Sequence, residues 1–249
     1  MMRYKQHLQM LFLLCKVYRI WAEVTSDIFG RFGKSPSPLD HTCKTEYSYE
    51  QHIMKGIKDM AKLVFNYGAM GSSKTANALM VAYNYEERGQ HALILKPATD
   101  TRDGIHTVSS RIGLSNTCRL IDEFLDEFTK NPDCVLNYNA IIVDEAQFAS
   151  PEQIDLFSDI VDTWQIPVLC YGLRADFQNK FFPGSRRLME IADEIKEIKT
   201  ICWCGKKATC NARYDDNGII KEGAQVVLGA NDKYIALCRK HFKEGNLGK

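Results

Sequence analysis

The sequence predicts an α/β fold with a mainly parallel sheet, followed by a small C-terminal domain. Three observations support this prediction. Short apolar runs alternate with segments whose apolar residues recur at helical spacing, and a glycine-bearing loop joins one such run to a helix. After residue 200 the composition becomes rich in cysteine and glycine. Alternating strands and helices are typical of βαβ units, whose strands pair in parallel. We expect an N-terminal extension over residues 1–58, a core over 59–200 and a C-terminal domain over 201–249.

The core strands are predicted from apolar runs bounded by turn-forming or polar residues. These runs cover residues 61–67, 91–97, 140–144 and 166–173. Apolar residues at helical spacing predict helices at residues 74–88, 119–129 and 151–164. After residue 201 the segments are short and rich in β-forming residues, and the sequence Asp216-Asn217-Gly218 predicts a hairpin turn.

The N-terminal extension combines a short apolar run with a longer segment of linker composition. Its apolar run at 8–15 is interrupted by Lys16 and Arg19, well short of the ~20 residues that a membrane span needs. The basic residues before this run would suit a signal peptide, but no small-residue cleavage site follows it. Residues 22–58 mix glycine, proline, serine and charges without periodicity. We expect this extension to be poorly ordered and residues 1–53 to be dispensable.

The overall composition restricts the classes of partner. The chain has 249 residues, with 32 basic and 31 acidic side chains and a formal net charge of +1. So balanced a charge disfavours a dedicated nucleic-acid binder and a membrane-surface binder. The nine cysteines are an odd number and lie mostly in apolar stretches, which favours reduced thiols over a disulfide framework. We expect a cytoplasmic protein with neither nucleic acid nor membrane as a partner.

The octapeptide GAMGSSKT follows the first predicted strand and opens the first predicted helix. In such a loop, backbone N–H groups converge on the phosphates of a nucleotide, a lysine binds the β- and γ-phosphates and a hydroxyl can coordinate Mg²⁺. The usual glycine before the lysine is Ser73, which is tolerable if its φ is negative or if its neighbours hold the strain. An incidental turn is the alternative. We predict a phosphate-binding loop, here called the P-loop, of Gly68, Ala69, Met70, Gly71, Ser72, Ser73, Lys74 and Thr75.

Two carboxylates end the strand predicted at 140–144. Asp144 and Glu145 would lie at the C-terminal edge of the sheet, where α/β proteins bind ligands. We expect Asp144 to hold Mg²⁺ directly or through water. Glu145 has two interpretations, since it could orient water in an ATPase or accept the proton of a substrate hydroxyl in a small-molecule kinase. A solvated carboxylate pair without a function is the alternative.

Three cysteines and a histidine form two close pairs, Cys202 with Cys204 and Cys238 with His241. Zinc prefers four nitrogen and sulfur ligands in a tetrahedron, so the two pairs predict a structural zinc site that ties off the intervening loop. The CxC spacing is less common than CxxC, and Cys210 is an alternative ligand. Free buried thiols and a redox pair are the other interpretations.

These motifs together resemble the cytosolic-type (type II) thymidine kinase family over residues 62–245. The resemblance is carried by GAMGSSKT, DTR at 100–102, SRIGL at 110–114, DEAQF at 144–148, FQ at 177–178, the CxC and CxxH pairs and VLGANDKY at 227–234. It implies an NTPase-type P-loop core and a zinc-containing lasso, a loop over residues 205–234 that closes on the nucleoside. It also implies Mg²⁺ bound with ATP.

The resemblance also implies roles for single residues. Glu145 would be the catalytic base. ATP and its phosphates would be bound by the P-loop together with Arg102, Asp144 and Gln147. Met70 would lie near the 5-methyl group of the base. The nucleoside contacts would be Phe148, Phe177, Leu228, Gly229 and Tyr234. Two departures from the family pattern, Ala230 and Asn211, bear on base selectivity.

The implied function is transfer of the γ-phosphate of ATP to the 5′-hydroxyl of thymidine by a homotetramer. Two other classes stay open. A P-loop ATPase dependent on nucleic acid would hydrolyse ATP without a nucleoside, although the charge balance counts against it. A nucleotide-binding regulator would require that Ser73 has disabled the P-loop.

Overall fold

The computed structural model describes residues 60–102, 104–225 and 233–248. The predicted N-terminal extension, Leu228 and Gly229 lie outside these residues. The strands are β1 (Leu63–Tyr67), β2 (Ala92–Lys96), β3 (Thr107–Ser109), β4 (Ser115–Thr117), β5 (Arg119–Leu120), β6 (Ala140–Val143), β7 (Val168–Gly172), β8 (Glu194–Glu197), β9 (Thr200–Ile201), β10 (Lys207–Ala208), β11 (Cys210–Asp215), β12 (Gly218–Ile220) and β13 (Lys233–Leu237). The α-helices are α1 (Lys74–Glu86), α2 (Ile121–Lys130), α3 (Pro151–Trp164), α4 (Pro183–Ile191) and α5 (Arg239–Glu244), and Pro132–Asn137 and Ala146–Phe148 are 3₁₀ turns.

Six strands form the central sheet in the order β5-β2-β6-β7-β1-β8, and every pairing among them is parallel. The predicted α/β class is therefore confirmed. The four predicted core strands are all present and each is slightly shorter than its apolar run. Strands β1, β6 and β7 end side by side at one edge, and this edge carries the P-loop and the Asp144–Glu145 pair.

Alternation along the buried strands supplies a core on each face of the sheet. Side chains such as Leu95, Val143 and Cys170 pack with α2, α3 and α4 on one face. Ile94 and Tyr171 pack with α1 on the other. Strands covered on both faces read as continuous apolar runs, which is why the sequence alone revealed them.

Helix α3 has the predicted bounds because its capping signals are local. Ser150 Oγ accepts a hydrogen bond from the Gln153 N–H, and the Gln153 side chain accepts one from the Ser150 N–H. This reciprocal capping box and Pro151 at the first helical position fix where the helix starts.

Strand β8 and helix α4 were not predicted. Strand β8 is an edge strand with the sequence EIKE, so its single apolar residue gives no periodic pattern. Helix α4 follows a loop and begins at Pro183-Gly184, a dipeptide that is typical of turns. Their absence from the sequence prediction reflects weak local signals rather than weak structure.

A small antiparallel region follows the central sheet. Strands β12, β11 and β13 form one sheet, and β9 pairs with β10. The predicted turn is present, because Asp215 pairs with Gly218 across Asp216 and Asn217. This region has its own buried cluster, which includes Ala208, Ala212 and Leu237. No helix among the described residues is long and apolar enough to cross a membrane.

Candidate active site

The P-loop surrounds the ammonium group of Lys74. This side chain is buried, and its Nζ donates to the carbonyl oxygens of Gly68 at 3.3 Å and Ala69 at 3.0 Å. Burial lowers the pKa of Lys74, although Glu145 and Asp144 oppose the shift. A Cβ on Gly68 would collide with Ser72 and with the carbonyl oxygen of Ile198, so only glycine fits there. The loop therefore fixes a cation at the N-terminus of α1, where a helix attracts phosphate.

Ser73 occupies a left-handed conformation, with φ 60° and ψ 30°, directly before α1. Ser73 therefore does not have the negative φ at which a serine would be unstrained. The Ser73 carbonyl accepts the first helical hydrogen bond, from the Asn77 N–H at 2.9 Å. The helix and the buried Lys74 hold this strain in place.

Asp144 and Thr75 provide adjacent oxygen ligands. The Thr75 hydroxyl donates to Asp144 Oδ2 at 2.8 Å, and the Asp144 side chain is almost fully buried. Burial, reinforced by the charge of Glu145, raises the pKa of Asp144 to about 7. A buried carboxylate beside a hydroxyl suits a hard cation such as Mg²⁺, whose charge would favour the ionised form.

Glu145 follows in a left-handed conformation with φ 50° and leads into the 3₁₀ turn Ala146–Phe148. Its Oε1 accepts a hydrogen bond from Arg102 at 2.7 Å, and its Oε2 accepts one from the Gln147 amide. Arg102 Nε also donates to Asp100 Oδ1 at 2.7 Å. This bond to Asp100, together with the charge of Glu145, raises the pKa of Arg102. The predicted base thus has one oxygen next to a guanidinium and the other on a buried amide.

One cavity of about 780 Å³ joins these groups to an aromatic wall. Phe177 is buried, with the Arg213 guanidinium 5.3 Å from its ring centroid. Phe148 packs edge-on against Phe182, with ring centroids 5.5 Å apart. The predicted residues that line this cavity are Met70, Gly71, Ser72, Ser73, Lys74, Thr75, Arg102, Glu145, Gln147, Phe148, Phe177 and Tyr234. Such a volume is ample for a phosphate chain and a nucleoside together.

The four predicted metal ligands come together in the small region. The ligand atoms of Cys202, Cys204, Cys238 and His241 all lie within 4.8 Å of one another. Cys202 Sγ lies 3.4 Å from His241 Nδ1, and the Sγ atoms of Cys204 and Cys238 lie 4.0 Å apart. Burial opposes ionisation of Cys202, but backbone N–H groups of Cys204 and Cys238 outweigh it and lower its pKa to about 6.

Three sulfur atoms and one imidazole nitrogen at this spacing are compatible with structural zinc. Cys210, the alternative ligand, lies on β11 outside the group. Two contacts of Trp203 support the cluster. Its ring stacks on the His241 ring, with centroids 4.2 Å apart, and its indole N–H donates to the Asn246 carbonyl at 3.3 Å.

Comparison with known proteins places the chain in a family. The thymidine kinase family model matches residues 61–242. The chain belongs to the thymidine kinase family. The thymidine kinase of Enterobacteria phage T4 is 46% identical over 188 residues, covering 74% of this chain and 97% of that protein. The thymidine kinase of Agrobacterium fabrum is 47% identical over 190 residues, with 74% and 97% covered, and that of Legionella pneumophila (strain Lens) is 45% identical over 194 residues, with 76% and 93% covered.

A solved helicase structure aligns with part of this chain. The Pif1 helicase from Candida albicans aligns with a TM-score of 0.35 and 12% identity over 61% of this chain and 39% of that one. So weak a likeness has no bearing on function.

Two polar residues of this thymidine kinase family member were not predicted and are buried, and one of them, Asp176, lines the cavity. Asp176 is buried, and it accepts hydrogen bonds from the N–H groups of Gln178 and Lys180 and from the Gln225 amide at 2.9 Å. Lys96 is fully buried at the end of β2, and its Nζ donates to the carbonyls of Gly104 and Thr107. A lysine closing a buried apolar strand is a signal that the sequence did contain.

Asn211 joins the small sheet to the P-loop. Its Oδ1 accepts a hydrogen bond from the Met70 N–H at 2.8 Å, and its Nδ2 donates to the Ala175 carbonyl at 2.8 Å. The Met70 N–H is thereby directed to Asn211, and not to the interior of the P-loop. The family pattern marked Asn211 only as a departure, whereas the contacts give it a structural role.

Proposed function

We propose that this protein is a thymidine kinase that transfers the γ-phosphoryl group of ATP to the 5′-hydroxyl of thymidine, giving dTMP and ADP. The observation that carries this proposal is the single cavity that holds the P-loop lysine, the Glu145 carboxylate and an aromatic wall. Such an arrangement suits a phosphate donor and an aromatic-base acceptor held at once. The names of the curated relatives support the choice of thymidine.

In this proposal ATP lies with its phosphates on the P-loop. Lys74 and the N–H groups at the start of α1 neutralise the β- and γ-phosphates, and Thr75 and Asp144 would hold Mg²⁺. The ion, when bound, would reduce the charge of the phosphates. Arg102 lies against Glu145 and is largely exposed, so its guanidinium can contact the phosphoryl group as it approaches the acceptor oxygen.

Glu145 acts as the general base. The 5′-oxygen of thymidine attacks the γ-phosphorus, the bond from that phosphorus to the bridging oxygen breaks, and ADP leaves with the electron pair. The hydroxyl proton passes to Glu145, whose carboxylate is held by two donors. Because phosphoryl transfer has a loose transition state, alignment and charge neutralisation provide most of the rate.

The thymine ring lies between Phe148 and Phe177, with Tyr234 near the sugar and Met70 near the 5-methyl group. Leu228 and Gly229, on the lasso, are proposed to contact the nucleoside as well. Cys202, Cys204, Cys238 and His241 would hold zinc, which would tie together the two ends of the lasso segment. We also propose that the enzyme works in the cytoplasm as a homotetramer.

A coupled assay with ATP and each deoxynucleoside in turn tests the function. We expect ADP release only with thymidine or a close analogue, and we expect Glu145→Gln to lower kcat by ~10² with little change in thymidine binding. ATP hydrolysis that needs no nucleoside and rises with DNA would instead identify a nucleic-acid-dependent ATPase. Nucleotide binding without turnover would identify a regulator.

A further inference from the structure

Gln147 is a fully buried polar residue at the wall of the cavity. Its amide makes two hydrogen bonds with groups of opposite character. The Nε2 donates to Glu145 Oε2, and the Oε1 accepts from the Leu173 N–H at 2.9 Å, just after β7 ends. The resemblance to the family implied a contact with ATP for Gln147; in the structure its amide oxygen and one of its two amide N–H groups bond to protein groups.

The two bonds fix the orientation of the amide. A backbone N–H can only donate, so the oxygen of Gln147 must face Leu173 and the nitrogen must face Glu145. Glu145 Oε2 is therefore held as an acceptor. The other oxygen, Oε1, accepts a hydrogen bond from Arg102, and its second lone pair can accept one from a substrate hydroxyl.

Two glycines pack the turn that carries this amide. A Cβ on Gly172 would lie 2.7 Å from Gln147 Oε1, and a Cβ on Gly184 would lie 2.5 Å from the Ala146 carbonyl oxygen. Neither distance is sterically allowed for a real Cβ, so the strand end and the start of α4 approach the turn as closely as backbone can. The Gln147 amide thus has little conformational freedom, and the same holds for Glu145, which precedes it with a left-handed backbone.

We propose that Gln147 is a positioning residue that orients the Glu145 carboxylate for proton transfer. The inference rests on the proposed function, since it takes Glu145 as the base. The amide contacts no reacting atom: it acts by holding Oε2 of Glu145, which leaves Oε1 at a fixed angle toward the acceptor hydroxyl. A displacement of about 1 Å at such a group can reduce a rate by ~10².

A double-mutant cycle tests this role, because a positioning residue must act through its partner. Gln147→Met keeps the length of the side chain and removes the donor. We expect it to lower kcat by about 10- to 100-fold and to change KM for thymidine and ATP by less than about threefold. In the Glu145→Gln background the same substitution should cause no further loss. Gln90→Met, at an exposed loop position, is the matched control and should leave kcat unchanged.

Other results would overturn the inference. An equal loss of kcat in the wild-type and Glu145→Gln backgrounds would show that Gln147 acts independently of the base. A rise in KM for ATP at unchanged kcat would assign Gln147 to phosphate binding. Should Gln147→Met not fold, Gln147→Asn keeps an amide that is one carbon too short to span both partners, and the same non-additivity is expected of it.

The cycle is measured with whichever nucleoside the wild-type enzyme phosphorylates fastest. An acceptor other than thymidine would overturn the proposed function and leave the cycle interpretable. Active wild-type enzyme with an additive cycle would overturn the positioning role alone.

Discussion

At the scale of single residues, the active site stores strain in two non-glycine positions. Ser73 and Glu145 both have left-handed backbone, with φ 60° and φ 50°. For an L-residue this conformation costs roughly 1–2 kcal/mol. At Glu145 the strain aims a carboxylate, but the exposed Ser73 side chain makes no capping hydrogen bond to α1. No capping hydrogen bond of the Ser73 side chain therefore offsets the cost of its strained backbone.

The first prediction is that Ser73→Gly stabilises the fold. Glycine adopts this φ without steric cost, so the free energy of unfolding should rise by about 1 kcal/mol, less the extra entropy that glycine adds to the unfolded chain. Ser158→Gly, inside helix α3, is the matched control and should destabilise by a similar amount. Urea unfolding measures both changes. A loss of stability in Ser73→Gly would show that the serine hydroxyl has a structural role.

The second prediction concerns the pH dependence of stability in the absence of metal and nucleotide. The pKa of Asp144 is raised to about 7, above its ordinary value near 4, so between these values the folded state binds more protons than the unfolded state. Stability should then fall as pH rises from ~4 to ~7 because the buried carboxylate must ionise. Asp144→Asn should flatten this dependence and be more stable than the wild type at pH 8. Thermal unfolding in chelator across this range measures it, and parallel curves for the two proteins would contradict the assigned shift.

At the scale of elements, the sequence predicted those parts of the site whose residues are neighbours in the chain. The P-loop with α1, and β6 with its Asp144–Glu145 pair, are local motifs in which the residues that act together are neighbours in the chain. Asp176 and Asn211 reach the same cavity from separate elements, and their importance rests on contacts with residues far away in sequence. No spacing rule finds such contacts, because they arise only when the sheet and the small region have packed together.

Asn211 gives the third prediction. Its amide is the hydrogen-bonded link from β11 to the Met70 N–H of the P-loop and to the Ala175 carbonyl. Asn211→Ala leaves both groups without that partner, so we expect KM to rise for ATP and for the nucleoside together, by about threefold to tenfold. Steady-state kinetics with each substrate varied in turn measures it. Asn217→Ala, at the exposed tip of the β11–β12 hairpin, is the control. A change confined to nucleoside selectivity would instead make Asn211 a residue of the base pocket.

At the scale of the whole molecule, the family match and the described structure cover nearly the same residues. The match runs over 61–242, and the strands and helices described run from Leu63 to Glu244. The alignment to the phage T4 relative takes in 97% of that protein but 74% of this chain. The activity should therefore reside in the part of the chain that begins near Met60.

The fourth prediction follows: a chain that starts at Met54 should fold and phosphorylate thymidine with the kcat and KM of the full-length protein. Thermal melting and the coupled assay, run side by side on the two proteins, measure this. Loss of solubility or of activity in the shorter protein would show that residues 1–53 contribute to the fold or to assembly, contrary to their linker-like composition.

The last prediction joins the metal cluster to substrate binding. Cys202 and Cys204 precede the lasso segment and Cys238 and His241 follow it, so zinc would hold both of its ends while the ATP phosphates rest on the separate P-loop. Cys238→Ser should therefore weaken thymidine binding before it weakens ATP binding, with a lower melting temperature. Cys134→Ser, at a buried thiol outside the cluster, controls for the general cost of a buried serine. Elemental analysis and calorimetric titration with each substrate test the link. Metal-free protein that phosphorylates thymidine with a normal KM would rule it out, because the lasso would then hold its shape without zinc.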